Sequence, residues 1–80
     1  MPFRDTIAQS DIDSISVNGV YYGYLTIGNV NDEACTLIQF QWATSKNNLC
    51  QVVIFKTTSV IKIRFKSKNA WEGWKTFIGQ

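Results

Sequence analysis

The sequence predicts a small all-β domain, an antiparallel sheet or meander of four to five strands that follows a short N-terminal lead-in. Several segments alternate between two sets of side chains with the period of two that half-buried strands require. Short polar segments rich in Asn, Ser, Thr and Gly separate them, as expected for turns between neighbouring strands. Three Trp, five Phe and three Tyr give a chain of only 80 residues large side chains with which to build a core.

The predicted strands follow one another along the chain. The lead-in ends at the turn signal Asn18-Gly19, because both residue types tolerate a positive φ. We expect strands at residues 20–27, 36–44, 49–55 and 60–66, with a loop at residues 28–33. Gly23 interrupts the first strand and marks either a bulge or the close approach of another backbone.

The strand predicted at residues 60–66 alternates strictly between its two faces. It has a basic set and an apolar set of side chains: Lys62, Arg64 and Lys66, and Ile61, Ile63 and Phe65. We expect the apolar set to face the core and the basic set to form a cationic outer face. A polar break follows, and then two tryptophans three residues apart, Trp71 and Trp74.

The size and charge of the chain bear on its partners. Eighty residues make one domain near the lower limit of independent folding, so oligomerisation is expected to supply further burial. The net charge is only +2, but residues 1–40 carry −4 and residues 41–80 carry +6. This asymmetry is compatible with an anionic partner, with contacts between the acidic half of one protomer and the basic half of the next, and with an ordinary solvated strand face.

Little in the sequence indicates catalysis or a cofactor. Cys35 and Cys50 lack CxxC spacing and the chain has no histidine, so a zinc site within one chain is excluded and we expect two reduced, buried thiols. The acidic pairs Asp11 with Asp13 and Asp32 with Glu33 are typical of caps and solvated loops. No apolar run is long enough to cross a bilayer and no signal peptide is recognisable, so we expect an origin in the cytoplasm and no membrane partner.

The end of the chain carries a resemblance to a known family. A strand Ile-x-Ile-Arg-Phe, a turn, and then Trp-x-x-Trp-Lys-x-Phe-Ile resemble the closing element of knob domains in phage tail fibres and pyocins. The positions of that pattern are occupied by Arg64, Asn69, Trp71, Trp74 and Ile78. Upstream, the acidic segment 11–13 before Gly19-Val-Tyr21, and the Gln51 strand, are also similar, so the resemblance covers residues 11–80.

Two departures from the family pattern are visible. Residues 31–35 lack the proline that often precedes the second strand. A long fibrous shaft usually precedes the knob, whereas only about a dozen residues precede the matched region here.

The resemblance implies a trimeric, non-enzymatic module displayed on a phage or a phage-tail-like particle. Residues 1–18 would then be a polar lead-in or linker to a shaft or partner chain, and residues 19–80 the knob-like β domain. The partners implied are two further copies of the chain, other fibre or tail proteins of the virion, and a glycan or protein of the host surface. Made in the host cytoplasm, the protein would reside in the virion.

Six residues are candidates for contact with a ligand or receptor. They are the tyrosines of the first strand, the basic row and the first tryptophan of the closing element: Tyr22, Tyr24, Lys62, Arg64, Lys66 and Trp71. Trp74 is expected instead to close the core. The alternative function is a small β-barrel that binds single-stranded nucleic acid, in which the basic row follows the phosphates and bases stack on the rings. The low net charge counts against it.

Overall fold

The computed structural model describes residues 3–28, 30–44, 47–68 and 70–78, with the backbone alone for 3–5, 30–32 and 78. These residues form a seven-stranded sheet and a single turn of 3-10 helix, Gln9–Asp11, with no α-helix in the part described. The strands are β1 Phe3–Ile7, β2 Gly19–Ile27, β3 Val30–Gln41, β4 Leu49–Phe55, β5 Val60–Ser67, β6 Ala70–Trp71 and β7 Lys75–Ile78. The predicted all-β class is confirmed.

The sheet is mixed rather than purely antiparallel. Its strand order is β1-β2-β3-β4-β5-β6, and β7 pairs with β5 beyond the stretch that β6 occupies. The pairs from β2 to β5 form the predicted antiparallel meander, whereas β1 lies parallel to β2. The three additional strands are short segments without regular alternation, which explains why the sequence pattern predicts only four to five strands.

The predicted and observed strand bounds differ most at the hairpin between β2 and β3. The predicted loop at 28–33 is mostly strand, since β3 begins at Val30 and pairs Glu33 with Leu25. Gly28, with a φ of 58°, makes the turn. The polar composition of this segment therefore marks the end of a hairpin, where cross-strand pairing outweighs the low strand propensity of Asn and Asp. β3 also ends earlier than predicted, at Gln41, while β4 has the predicted bounds and β5 extends one residue further.

The segment predicted as a lead-in is part of the domain. Its first strand, β1, is the edge of the sheet, and Ile12 is only 6% exposed within the core. Ile7 and Ile15 pack against the same core. The described part of this segment thus crosses one face of the sheet, which we call the inner face; attachment to a shaft or partner chain remains a prediction.

The core lies between the inner face and this crossing segment. Side chains that pair across the strands share a face, so the ladder Leu37, Val53 and Lys62 and the ladder Cys35, Phe55 and Val60 both point inward. The buried apolar residues are Ile12, Leu25, Ile27, Cys35, Leu37, Val53, Phe55 and Val60. The Leu25 side of β2 faces this core.

The predicted direction of β5 is wrong. Lys62 is 3% exposed and Arg64 7% exposed on the inner face, whereas Ile61, on the opposite face, is 37% exposed. Alternation defines two faces but does not say which one is buried. The register with β4 decides which face of β5 is buried, because Lys62 and Arg64 pair with Val53 and Gln51 on the buried side of β4.

Both cysteines are buried and free, as predicted. Burial raises the pKa of the Cys35 thiol from 9.0 to about 11, with a smaller contribution from the nearby Glu33 carboxylate. Burial also raises the pKa of Cys50. Both side chains therefore act as small apolar groups with protonated thiols at neutral pH.

Replacing Gly23 should weaken the attachment of β1. A Cβ at this position would lie 2.3 Å from the Ile7 carbonyl oxygen, which is backbone and cannot rotate away. We expect Gly23→Ala to lower the free energy of unfolding by about 1–3 kcal/mol in urea denaturation. Gly73→Ala is the matched control, because nothing lies within 4 Å of a Cβ there. Equal stability of the two variants would contradict the parallel pairing of β1.

The thiols should be protected by the fold. We expect Ellman's reagent to react slowly with the native protein at pH 8 and to titrate two thiols once the protein is denatured. Since the Cys35 pKa is higher in the folded than in the unfolded chain, its contribution to stability is complete below about pH 9 and is lost as the pH rises towards about 11. Rapid reaction of either native thiol would contradict the described burial.

Candidate binding surfaces

A ladder of polar side chains crosses the inner face beside the apolar core. Gln39 pairs with Gln51 and Gln51 with Arg64 in adjacent strands, so their side chains meet. The Gln51 amide donates to Gln39 Oε1 at 2.9 Å and to the Ile12 carbonyl at 2.6 Å, and Arg64 Nε donates to Gln51 Oε1 at 2.9 Å. No buried side-chain nitrogen or oxygen among the described residues lacks a hydrogen-bond partner.

The guanidinium of Arg64 lies against two indole rings. Its central carbon is 4.1 Å from the centroid of the Trp71 ring and 4.5 Å from that of Trp74, within the range of cation–π attraction. Arg64 Nη2 donates to Asp13 Oδ1 at 2.6 Å, and Trp71 Nε1 donates to the Asp13 carbonyl at 3.2 Å. We call this group, Gln51, Arg64, Trp71, Trp74 and the backbone at residues 12–13, the Arg64 latch.

The electrostatics of the latch depend on Arg64 remaining charged. Burial lowers the pKa of Arg64, and its hydrogen bond and attraction to Asp13 act in the opposite direction. An arginine stays protonated under ordinary conditions even so. The latch therefore holds a buried cation that is compensated by one carboxylate, one amide oxygen, one carbonyl and two ring faces.

These positions correct the contact role predicted for the basic row. Lys62 and Arg64 face the interior, where Lys62 Nζ donates to Thr76 Oγ1 at 2.8 Å. Lys66 is half-buried and lies 5.6 Å from the Trp71 ring. Trp71 is half-buried too, with its N–H already donated to Asp13. Lys62 and Arg64 stabilise the fold rather than form an accessible cationic surface, whereas the contact role of the half-buried Lys66 and Trp71 stays a prediction. Trp74 packs on the core as predicted.

The opposite, outer face of the sheet is apolar and largely uncovered. A row of paired residues runs along it from β2 to β7: Tyr22, Thr36, Ile54, Ile61 and Phe77. Its large members are substantially exposed, from 37% for Ile61 to 54% for Phe77. The two tyrosines predicted as contact residues belong to this face, with Tyr22 46% and Tyr24 66% exposed.

A sequence signal for this face exists in β3 and β4. Both strands carry apolar residues on both sides, such as Ile38 and Phe40 opposite Leu37, and Val52 and Ile54 opposite Val53. Strands that are apolar on both sides are typical of sheets covered on both faces. The strict alternation of β5 predicts instead that one face of the sheet is polar, so the two signals disagree.

One end of the outer face is closed by an aromatic cluster. Trp42 meets Phe65 edge to face, with ring centroids 6.0 Å apart, and its N–H donates to the Lys66 carbonyl at 3.2 Å. Cys50, which pairs with both Phe40 and Phe65, is only 2% exposed there. The uncovered part of the outer face is therefore the portion between this cluster and the opposite end of the strands.

A groove of about 740 Å³ opens at the β1–β3 side of the outer face. Tyr22 and Tyr24 line it together with Ile7, Ile54 and Lys56. Gly23 contributes its backbone between the two rings. We call it the Tyr22–Tyr24 groove.

Other kinds of site are absent from the described residues. They contain no cluster of three or more side chains suited to holding a metal ion. No helix within the described ranges has the length and apolar character needed to cross a bilayer.

Comparisons of the chain with protein-family models, curated proteins and solved structures find no match. The resemblance to phage and pyocin knob domains therefore stays a prediction from sequence.

The stability of the latch should reside in the buried network more than in its exposed ion pair. We expect Arg64→Met to lower the free energy of unfolding by about 2–4 kcal/mol, because Gln51 Oε1 and the Ile12 carbonyl lose donors. The Asp13 side chain is 69% exposed, so Asp13→Asn should cost less than about 1 kcal/mol. Chemical denaturation monitored by tryptophan fluorescence measures both. Equal losses would place the stabilisation in the ion pair.

Proposed function

We propose that the chain is a non-enzymatic structural and adhesive module of a phage tail or head fibre, a knob that assembles as a homotrimer and contacts the host surface. In this proposal the protein works in the virion, beside other fibre or tail proteins. The observation that carries the proposal is the uncovered apolar outer face. The resemblance of residues 11–80 to knob domains gives the assembly its biological setting.

The outer face supports assembly because water contact with large apolar side chains is unfavourable. Ile61 and Phe77 lie side by side on β5 and β7, and both are exposed in the single chain. We call this pair the β7 patch. Contiguous exposed apolar surface of this kind marks protein interfaces, and a small domain gains the burial that it lacks by covering it.

A cyclic trimer uses two different patches on each protomer, since each copy contacts the next in a head-to-tail manner. We assign the β7 patch to one side of that contact. Lys75, which is exposed and pairs with Ile63 at the same end of the sheet, would lie at its rim.

Burial of Lys62 and Arg64 weakens the case for the alternative, a single-stranded nucleic-acid-binding protein. That function requires basic side chains that reach the phosphates and rings on which bases stack. Arg64 already occupies the faces of Trp71 and Trp74. The exposed lysines in the part of the chain that the structure describes, Lys56, Lys68 and Lys75, lie apart in turns and at the start of β7.

Light scattering coupled to size exclusion tests the proposal. We expect a trimer for the unaltered chain and dissociation to monomers for the double variant Ile61→Ser with Phe77→Ser. Val17→Ser is the matched control, because Val17 is 48% exposed but belongs to the crossing segment rather than to β5 or β7. A monomer at all concentrations would contradict the assembly, and salt-sensitive binding of single-stranded DNA by that monomer would favour the alternative.

A further inference from the structure

We propose that the Tyr22–Tyr24 groove binds a short acidic saccharide, with carboxylate-bearing pyranose rings as the recognised units. This inference deepens the adhesive part of the proposed function and rests on it. It is argued from the size of the groove, its two exposed aromatic rings and its charge.

The volume of the groove fits a small ligand. Small-molecule sites are typically clefts of about 300–1,000 Å³ with mostly apolar walls and a few polar groups, and the groove holds about 740 Å³. Gly23, whose missing side chain would point to the inner face, contributes backbone to its lining between the two tyrosines. A standard protein interface covers a far larger and flatter area, roughly 800 Å² on each partner.

The two tyrosines suit a saccharide. Tyr22 and Tyr24 point to the same side of β2, about 7 Å apart at the usual rise of a strand, and both rings are exposed. Pyranose rings carry one face of C–H groups that packs on an aromatic ring, and adjacent sugar units have a similar spacing. Ile54 continues the apolar wall on the β4 side.

The polar groups of the groove indicate a ligand with hydroxyl groups and a negative charge. Thr6, Gln9 and Thr36 supply hydroxyl and amide groups among its lining residues. Gln9 Oε1 accepts the Thr26 N–H at 2.7 Å, which orients the amide. Lys56 is exposed and is the one charged side chain among the described lining residues. An ammonium on an apolar, hydroxyl-lined wall is complementary to a carboxylate.

The tyrosine side of the groove lies away from the proposed trimer contact, and the two surfaces adjoin only where Ile54 of the groove pairs with Ile61. Tyr22 on β2 and Phe77 on β7 lie at opposite ends of the paired row, four strand steps or about 19 Å apart along the sheet. The β1 side of the sheet therefore stays open to the host surface when the β7 patch is covered.

Titration of the full chain with defined saccharides, followed by amide NMR shifts and calorimetry, tests the inference. The acidic probes are trigalacturonate and 3′-sialyllactose, and the neutral controls are maltotriose and lactose. We expect at least one acidic probe to bind with millimolar or better affinity and to shift signals around Tyr24 and Lys56. Binding should weaken with salt, whereas the neutral sugars should bind at least tenfold more weakly, about 1.4 kcal/mol.

Matched variants locate the site. Tyr24→Ala and Lys56→Gln should each weaken the acidic probe about tenfold. Tyr24→Phe keeps the ring and should bind nearly as well as the unaltered chain. Lys68→Gln, which removes another exposed lysine outside the lining of the groove, should leave the affinity unchanged.

The outcomes separate this inference from the proposed function. Absence of binding by both acidic probes, or equal binding of the neutral sugars, would overturn the inference. Binding of a Glu-Glu-Tyr-Glu-Glu peptide in place of the saccharides would overturn it in favour of an acidic protein segment. A trimer that binds no saccharide would leave the assembly intact, and a monomer that binds the acidic probe would contradict the assembly alone.

Discussion

The buried cation at Arg64 is the constraint on which much of this structure depends. A charge placed on the core side of a sheet is costly unless it is paired and hydrogen-bonded, and here the compensating groups come from three separate parts of the chain. β4 supplies Gln51, and the crossing segment supplies Asp13. The end of β6 and the residues that follow it supply Trp71 and Trp74. Satisfying one guanidinium thus fixes how the N-terminal segment and the C-terminal strands are placed on the meander.

The polar network on the inner face determines which side chains lie on the outer face. β5 turns its basic residues inward, so Ile61 and Ile63 must point outward, and the neighbouring strands add Ile38, Val52 and Ile54 to the same side. The domain consequently has an apolar core and an apolar outer surface with one sheet between them. An apolar outer face favours contact with another molecule, because such contact removes its exposed side chains from water. The sheet also separates residues that stabilise the fold, around Arg64, from residues exposed for contact, around Tyr24.

Sequence reasoning predicts the sheet better than its surfaces. The bounds of β4 and the meander from β2 to β5 follow from alternation and turn residues, which are local properties. The direction of β5 does not, because a period of two is unchanged when the strand is turned over and only its long-range register with Gln51 and Val53 decides. The parallel pairing of β1 is equally hidden, since its five residues carry no alternating pattern. The groove depends on that pairing and was beyond prediction for the same reason.

The span of the latch along the chain has a consequence for the order of folding. Asp13 meets Arg64 across 51 positions and Trp71 across 58, so the segment around Asp13 is fixed by residues that are made much later. During synthesis the meander can begin to pair while the N-terminal segment still has nothing to dock on, and the inner face stays open until the last strands emerge. Contacts of such long sequence separation also slow folding, because the entropy cost of closing the loop arises before the contacts that compensate it have formed. The inner face is therefore covered only after Arg64, Trp71 and Trp74 have been made, and a nascent chain stalled before Trp71 would expose both faces of the sheet at once.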